Sequence, residues 1–247
     1  MENFGFEEWM LLVSTILILP AIIFAFWAQF RVQSSFNRYS QEMSMSGETG
    51  ASVARKLLDQ NGCQHVGVEL TPGHLSDHYD PRKKVVRLSQ AVYGSSSLAA
   101  LGVAAHEVGH AIQDQTGYPP LKIRQLVVRT TRLVSFALTP LIIIGFLGMF
   151  LGVFFLHADF FYWFILALAI SYGLSALVNL ITLPTEYDAS RRANKLLDES
   201  GVLKDQDEQD GVRRVLNAAA LTYVAALVVS LTMLLRLVAI LLISKRR

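Results

Sequence analysis

Charge is scarce in this 247-residue chain: Lys, Arg, Asp and Glu make up 17% of it and nearly cancel, leaving a formal net charge of +2. That balance gives no case for a nucleic-acid partner, which needs clustered positive charge. Cysteine is almost missing. The single Cys63 excludes an internal disulfide and reads as a small core residue. No internal repeat stands out. The first apolar run also lacks a basic front end, since Glu2, Glu7 and Glu8 precede it and Arg31 and Arg38 follow. This pattern excludes a cleavable signal peptide and reads as a retained anchor.

What is abundant is apolar sequence, at 52% of residues. Four runs, 9–30, 133–156, 160–183 and 218–243, are each long enough to cross a bilayer. Trp9 and Trp27 suit the interfacial belts, and Pro20 predicts a kink. His157-Ala158-Asp159 reads as a tight external turn, with His157 only a turn residue. Eighteen Lys and Arg lie in the segments between the first and second runs and between the third and fourth. They place those segments in the cytoplasm and outweigh Lys245-Arg246-Arg247, which would then lie outside. Arg236, the ionised interruption of the last run, is expected to snorkel to the outer interface, with a re-entrant or interfacial last helix as the other reading. Because the other runs carry no ionisable group of the kind that marks an ion path, a transporter is disfavoured.

The main polar segment is 34–118. Its apolar spacing predicts a short amphipathic helix over 49–60, a strand over 65–70 and a second strand over 83–88, with turns at 71–73 and 77–82. The second strand is read as a sheet edge able to hold an extended peptide by β-augmentation. Residues 121–132 interleave Lys122, Arg124, Arg129 and Arg132 with apolar residues, as in a basic helix at the inner membrane surface.

Between these parts stands His106-Glu107-Val108-Gly109-His110, an H-E-x-x-H motif. A separation of four returns to nearly the same face of a helix, so both imidazoles can reach one Zn²⁺. Glu107 lies beside the ion without binding it, placed to take a proton from water. Ser95-Ser96-Ser97 can cap the helix, and Gly117 with Pro119-Pro120 can stop it. The bland reading, a core helix with two satisfied histidines, gains nothing from packing two imidazoles and a carboxylate without a partner.

A catalytic zinc site needs a third protein ligand. Two membrane runs separate His110 from Glu186, which returns Glu186 to the same side, and it is the candidate in the segment 184–214. Asp188 and His78 are the alternatives. Thr185 with Asp188 resembles a capping box opening a new helix after Pro184. His78 is also a candidate for holding substrate or polarising its carbonyl, and His74 a weaker one; both suit a hydrogen-bonded turn as well. Tyr79, Tyr93 and Tyr187 can each donate to an oxyanion.

Three linked segments carry a resemblance. They are Leu75-Ser76-Asp77-His78-Tyr79-Asp80-Pro81-Arg82, then Val85-Val86-Arg87-Leu88-Ser89, then Val103-Ala104-Ala105-His106-Glu107-Val108-Gly109-His110-Ala111-Ile112-Gln113. Together with Glu186-Tyr187-Asp188-Ala189-Ser190, they resemble the YugP-like family of bacterial membrane zinc metallopeptidases. A more distant likeness is to HtpX-like peptidases, whose glutamate segment reads glutamate, aromatic residue, any residue, alanine, aspartate. Glu186, Tyr187 and Ala189 match, but Ser190 stands where the aspartate that supports the metal site would be, and Asp188 or Asp77 is the candidate replacement. Site-two proteases are less similar, because no equivalent of their aspartate motif appears.

The expected protein is therefore mainly α: a four-helix integral membrane protein with a small cytoplasmic α+β, zincin-like domain, in a bacterial plasma membrane. Its expected activity is zinc-dependent hydrolysis of membrane-associated or misfolded polypeptides, with His106, His110 and Glu186 on zinc and Glu107 as general base. Expected partners are the polypeptide substrate and the lipid bilayer, with a homo-oligomer or a membrane-protein partner left open. The rival reading is a catalytically silent zinc-binding scaffold.

Overall fold

The computed structural model describes residues 5–73, 75–151 and 158–246. His74 and His157 lie outside the described residues. The chain divides into two compact units, one of residues 1–27, 124–181 and 223–247, the other of 28–123 and 182–222.

The first unit holds the apolar stretches of four long helices: α1 (Phe6–Tyr39), α5 (Pro119–Phe150), α6 (Ala158–Ser200) and α7 (Gln206–Arg246). All four are long and apolar enough to cross a membrane. Large apolar side chains such as Phe26, Phe136, Phe150 and Trp163 are exposed, an arrangement unfavourable in water and natural against lipid tails. Small residues bring α5 close to α6. A Cβ at Gly145 would lie 1.9 Å from the Phe164 ring and one at Gly148 2.8 Å from the Phe160 ring, so each phenyl occupies the space a side chain would need. Arg236 has a hydrogen-bond partner within this unit. Its Nη1 donates to Thr15 Oγ1 at 2.7 Å, while the Thr15 hydroxyl donates to Leu11 O at 2.6 Å. Helix α1 continues through Pro20.

In the second unit, α2 (Gly50–Gln60) begins where Thr49 accepts from Ser52 N–H, and it buries Val53, Ala54, Leu57 and Leu58 completely. Strand β1 (Gly67–Thr71) pairs in parallel with β3 (Val85–Ser89), Gly67 opposite Val85. The turn expected at 77–82 instead contains a strand, β2 (His78–Asp80), antiparallel to β3 with Tyr79 opposite Val86. Three residues are too few to register as an alternating pattern. Asp80 Oδ1 accepts from the Arg82 and Lys83 N–H groups at 3.0 and 3.2 Å, closing the turn that leads back into β3. The order β1-β3-β2 corrects the expectation of β3 as an edge: it is central and buried, and β1 and β2 are the edges.

After a single turn, α3 (Gln90–Tyr93), Ser97 caps α4 (Leu98–Gln115) by accepting from Ala100 N–H. Helix α4 is buried along nearly its whole length: most of its surface is apolar, and the polar side chains it buries, Glu107, His110 and Gln113, have hydrogen-bond partners. It ends at Gly117, whose φ of +67° suits the left-handed exit. Helix α6 corrects a second expectation. It runs unbroken through Pro184, so no capping box forms at Thr185, whose hydroxyl is buried without a hydrogen bond. Asp188 is engaged elsewhere, as described below. Helix α7 starts at Gln206, earlier than the polar composition of 201–210 implied. There Glu208 N–H donates to Asp205, and the Glu208 carboxylate accepts from Met45 N–H at 2.6 Å and Lys204 N–H at 2.7 Å.

The contact that sets the spacing of α4 and α6 is at Gly109. A Cβ there would lie 2.7 Å from the Ala189 carbonyl oxygen, which is main chain and cannot swing aside. Gly109→Ala is therefore expected to cost on the order of 1–3 kcal/mol and to lower the melting temperature in detergent. Gly94→Ala, whose added methyl meets nothing within 4 Å, is expected to stay within about 0.5 kcal/mol of the parent. Equal melting temperatures for the two variants would contradict this account.

Candidate metal centre

The candidate site is built from one face of α4 and the adjoining turn of α6. On α4, His106 and His110 stand one turn apart, ring centroids 4.8 Å from each other and planes at 86°. From α6, Glu186 Oε2 lies 3.2 Å from His106 Nε2 and 3.7 Å from His110 Nε2. Ligand atoms about 2.0 Å from a tetrahedral ion are separated by roughly 3.3 Å, so this spacing suits a metal. Among the described residues, these three form the one group of His, Cys, Asp and Glu able to hold an ion, their ligand atoms all within 4.8 Å of one another.

The opposite ring nitrogens decide which nitrogen faces the centre. His106 Nδ1 is 3.2 Å from Ser190 Oγ, and His110 Nδ1 is 3.0 Å from Gln113 Oε1. The Gln113 amide nitrogen donates to Thr185 O at 2.8 Å and Asp188 Oδ2 at 2.9 Å, which fixes Oε1 towards His110. An amide oxygen only accepts, so His110 Nδ1 carries the hydrogen and Nε2 keeps its lone pair for the centre. Gln113 is fully buried, so this relay is shielded from water.

Asp188 anchors the relay. Arg191 Nη2 and Arg192 Nε each lie 2.6 Å from its carboxylate. Burial raises the Asp188 pKa, but hydrogen bonds from Arg192, Gln113 and Arg191 outweigh it and hold the group below its ordinary 3.8. Glu186 is buried, which raises its pKa, but when no metal is bound protonated imidazoles of His106 and His110, hydrogen on Nε2 as well as Nδ1, outweigh burial and keep it well below its ordinary 4.5. Glu107, on α4 beside the cluster, is buried, and its Oε2 accepts from Tyr79 N–H at 2.8 Å.

The structure thus brings together His106, His110 and Glu186, with Glu107 adjacent on the same helix. It does not bring His78 to the cluster. His78 is exposed on β2, its Nδ1 2.8 Å from Ser76 O. Of the two candidates to stand in for an aspartate at position 190, Asp188 acts through Gln113, whereas Asp77 accepts from Ser89 N–H and Oγ–H and secures the end of β3. Ser190 itself contacts His106. The tyrosines divide. The Tyr79 hydroxyl donates to Asp114 at 2.7 Å, Tyr93 packs against the core, and Tyr187 is half-exposed next to Glu186. Sequence reasoning missed Gln113, whose signal was its place one turn beyond His110 on a buried face, and Asp114.

An H-E-x-x-H helix whose histidines meet a glutamate of a membrane-length helix is the arrangement of a membrane metallopeptidase. Residues 14–242 match the family described as "Putative neutral zinc metallopeptidase", and the chain belongs to that family. It is similar to "Putative membrane protease YugP" of Bacillus subtilis (strain 168), 44% identical over 225 residues that cover 91% of this chain and 94% of that one. No solved structure matches it.

Because Asp188 is held below its ordinary 3.8, its contribution to stability is full above that value and is lost as the pH falls through the lowered one. Asp188→Asn is expected to lower the melting temperature at neutral pH. The gap from the parent should narrow as the pH is taken down to about 3, followed by thermal unfolding in detergent. A gap constant across that range would remove the carboxylate's charge from the account.

Proposed function

We propose that the protein is a zinc-dependent endopeptidase of a bacterial plasma membrane, cutting membrane-associated or misfolded polypeptides at the cytoplasmic face. The observation that carries this reading is the meeting of His106, His110 and Glu186 Oε2, with Glu107 the residue after His106 on the same helix. In this reading His106 Nε2, His110 Nε2 and Glu186 hold the ion, and Ser190 and Gln113 orient the two rings. Zinc, when bound, supplies Lewis acidity that polarises a carbonyl and lets water act as a nucleophile near neutral pH. Glu107 accepts the proton of the attacking water and passes it to the departing amine, with Oε2 steadied by Tyr79 N–H and Oε1 on hand for transfer.

Strand β2 replaces β3 as the edge for an extended substrate, since it is the edge strand that touches Glu107. His78, exposed on that strand, is the candidate to hydrogen-bond the substrate. The cytoplasmic placement is supported by the eighteen Lys and Arg of the segments that carry the site. The substrate class is supported by a site in a chain with four membrane-length helices.

Detergent-purified protein is expected to hold about one zinc per chain, lost or much weakened in Glu186→Ala. Gln113→Ala is expected to weaken zinc by roughly ten- to a hundredfold, the usual effect of removing a partner of a metal-ligating histidine. Glu107→Gln should keep the metal and abolish peptide hydrolysis, and His78→Ala should raise KM more than it lowers kcat. No zinc in the parent even after reloading would sink the peptidase reading. A Glu107→Gln protein that fully restores function in a deletion strain would favour the silent scaffold instead.

A further inference from the structure

Glu107 is secured by a residue outside its own helix, and that residue is tied to the helix at a second point. Glu107 and Asp114 are seven residues apart on α4, two turns, and so share a face. Tyr79 reaches both. Its N–H donates to Glu107 Oε2 at 2.8 Å, and its hydroxyl donates to Asp114 Oδ2 at 2.7 Å. Lys84, in the turn between β2 and β3, adds a third tie, its Nζ 2.6 Å from the same Asp114 oxygen. Residues of an antiparallel strand alternately face the ladder and the free side. Tyr79 has its N–H on the free side of β2, turned to α4. The strand is only three residues long and pairs on one side, so its backbone ladder alone is a weak support. Glu107 is 8% exposed, and a carboxylate so buried depends on each donor it has.

We infer that Tyr79 is a positioning residue for Glu107: its main-chain N–H fixes the carboxylate, and its phenol, anchored on Asp114, keeps β2 where that N–H can do so. The contact stands independently of any activity; its catalytic consequence rests on the peptidase reading. Tyr79→Phe keeps the ring and removes the anchor. The strand is then held to α4 by the Lys84 tie alone at that end, and Glu107 is less firmly oriented without loss of the metal.

The test uses the full-length zinc-loaded protein in detergent. Tyr79→Phe is expected to keep its zinc content and to lower kcat about tenfold with KM within about twofold, the pattern of an interaction made in the transition state. Asp114→Asn, which retains an acceptor for the phenol, should lose less activity than Tyr79→Phe, and Asp114→Ala, which also releases Lys84, should lose at least as much. In a Glu107→Asp background, whose shorter side chain withdraws from the Tyr79 N–H, the Tyr79→Phe loss should largely vanish; a merely structural residue would cost the same in both backgrounds. Amide hydrogen exchange across 76–82 should rise in Tyr79→Phe and in Glu107→Ala. Unchanged exchange in both variants overturns the contact, and unchanged kcat or equal losses in both backgrounds overturns the positioning role. Should the parent show no peptidase activity, the exchange measurement alone decides the contact, and the failure belongs to the functional reading.

Discussion

The centre depends on how closely two helix backbones approach. Glu186 reaches the imidazoles because α6 lies against α4 at Gly109, where the nearest atom to an added Cβ would be the Ala189 carbonyl oxygen. The geometry is local: His110 follows Gly109, Ser190 follows Ala189, and Glu186 sits one turn before Ala189. A metal site holds its ligand distances to within a few tenths of an ångström, so a methyl group between these backbones would part the ligands by more than the site can absorb. The glycine in the second variable position of H-E-x-x-H is thus a spacing device. Alanines at 104, 105 and 111, all buried, keep the rest of α4 slim in the same way.

Close approach buries polar atoms, and burial without partners is costly. Inside an otherwise apolar core Ser190 Oγ meets His106 Nδ1, while His110 Nδ1, the Gln113 amide and the Asp188 carboxylate form a chain, and Arg191 and Arg192 carry the last charge towards solvent. This explains the continuity of α6 through Pro184. Asp188, Arg191 and Arg192 need helical spacing to form their pairs, and Thr185 has to offer its carbonyl to Gln113 rather than its hydroxyl to a cap. The tertiary demand overrides the local signals that Pro184 and Thr185 send.

Much of this was legible in the sequence because it is written in short spacings. The i, i+4 histidines, the cap at Ser97, the stop at Gly117 and the apolar face of α2 each follow from a few adjacent residues, and the four membrane-length helices follow from long apolar runs, of which only the last has an ionised interruption, Arg236. That Glu186 meets the two histidines was anticipated by counting the ligands a catalytic zinc needs. Strand β2 was not, because three residues next to a proline look like a turn, and the error propagated: with β2 unseen, β3 was placed at the sheet edge. Gln113 was missed for a different reason. A glutamine within an apolar helix sends no signal by type; its role emerges only when Thr185 and Asp188, more than seventy residues away, are brought beside it.

The charges around the centre follow a consistent logic. On the Nδ1 side a hydroxyl faces His106 and an amide oxygen faces His110, with Asp188 one step further and countered by two arginines. With His106, His110 and Glu186 as the proposed ligands, Glu186 would be the one anion among them, and a divalent ion held there would keep a net positive charge. Such a centre polarises a carbonyl more strongly than one neutralised by a second carboxylate. In the proposed reading the proton is carried by Glu107, whose Oε2 accepts from the uncharged main-chain N–H of Tyr79. An aspartate at position 190 would bring a second negative charge against His106 and blunt that polarisation. The serine found there orients the ring through its hydroxyl and adds no charge.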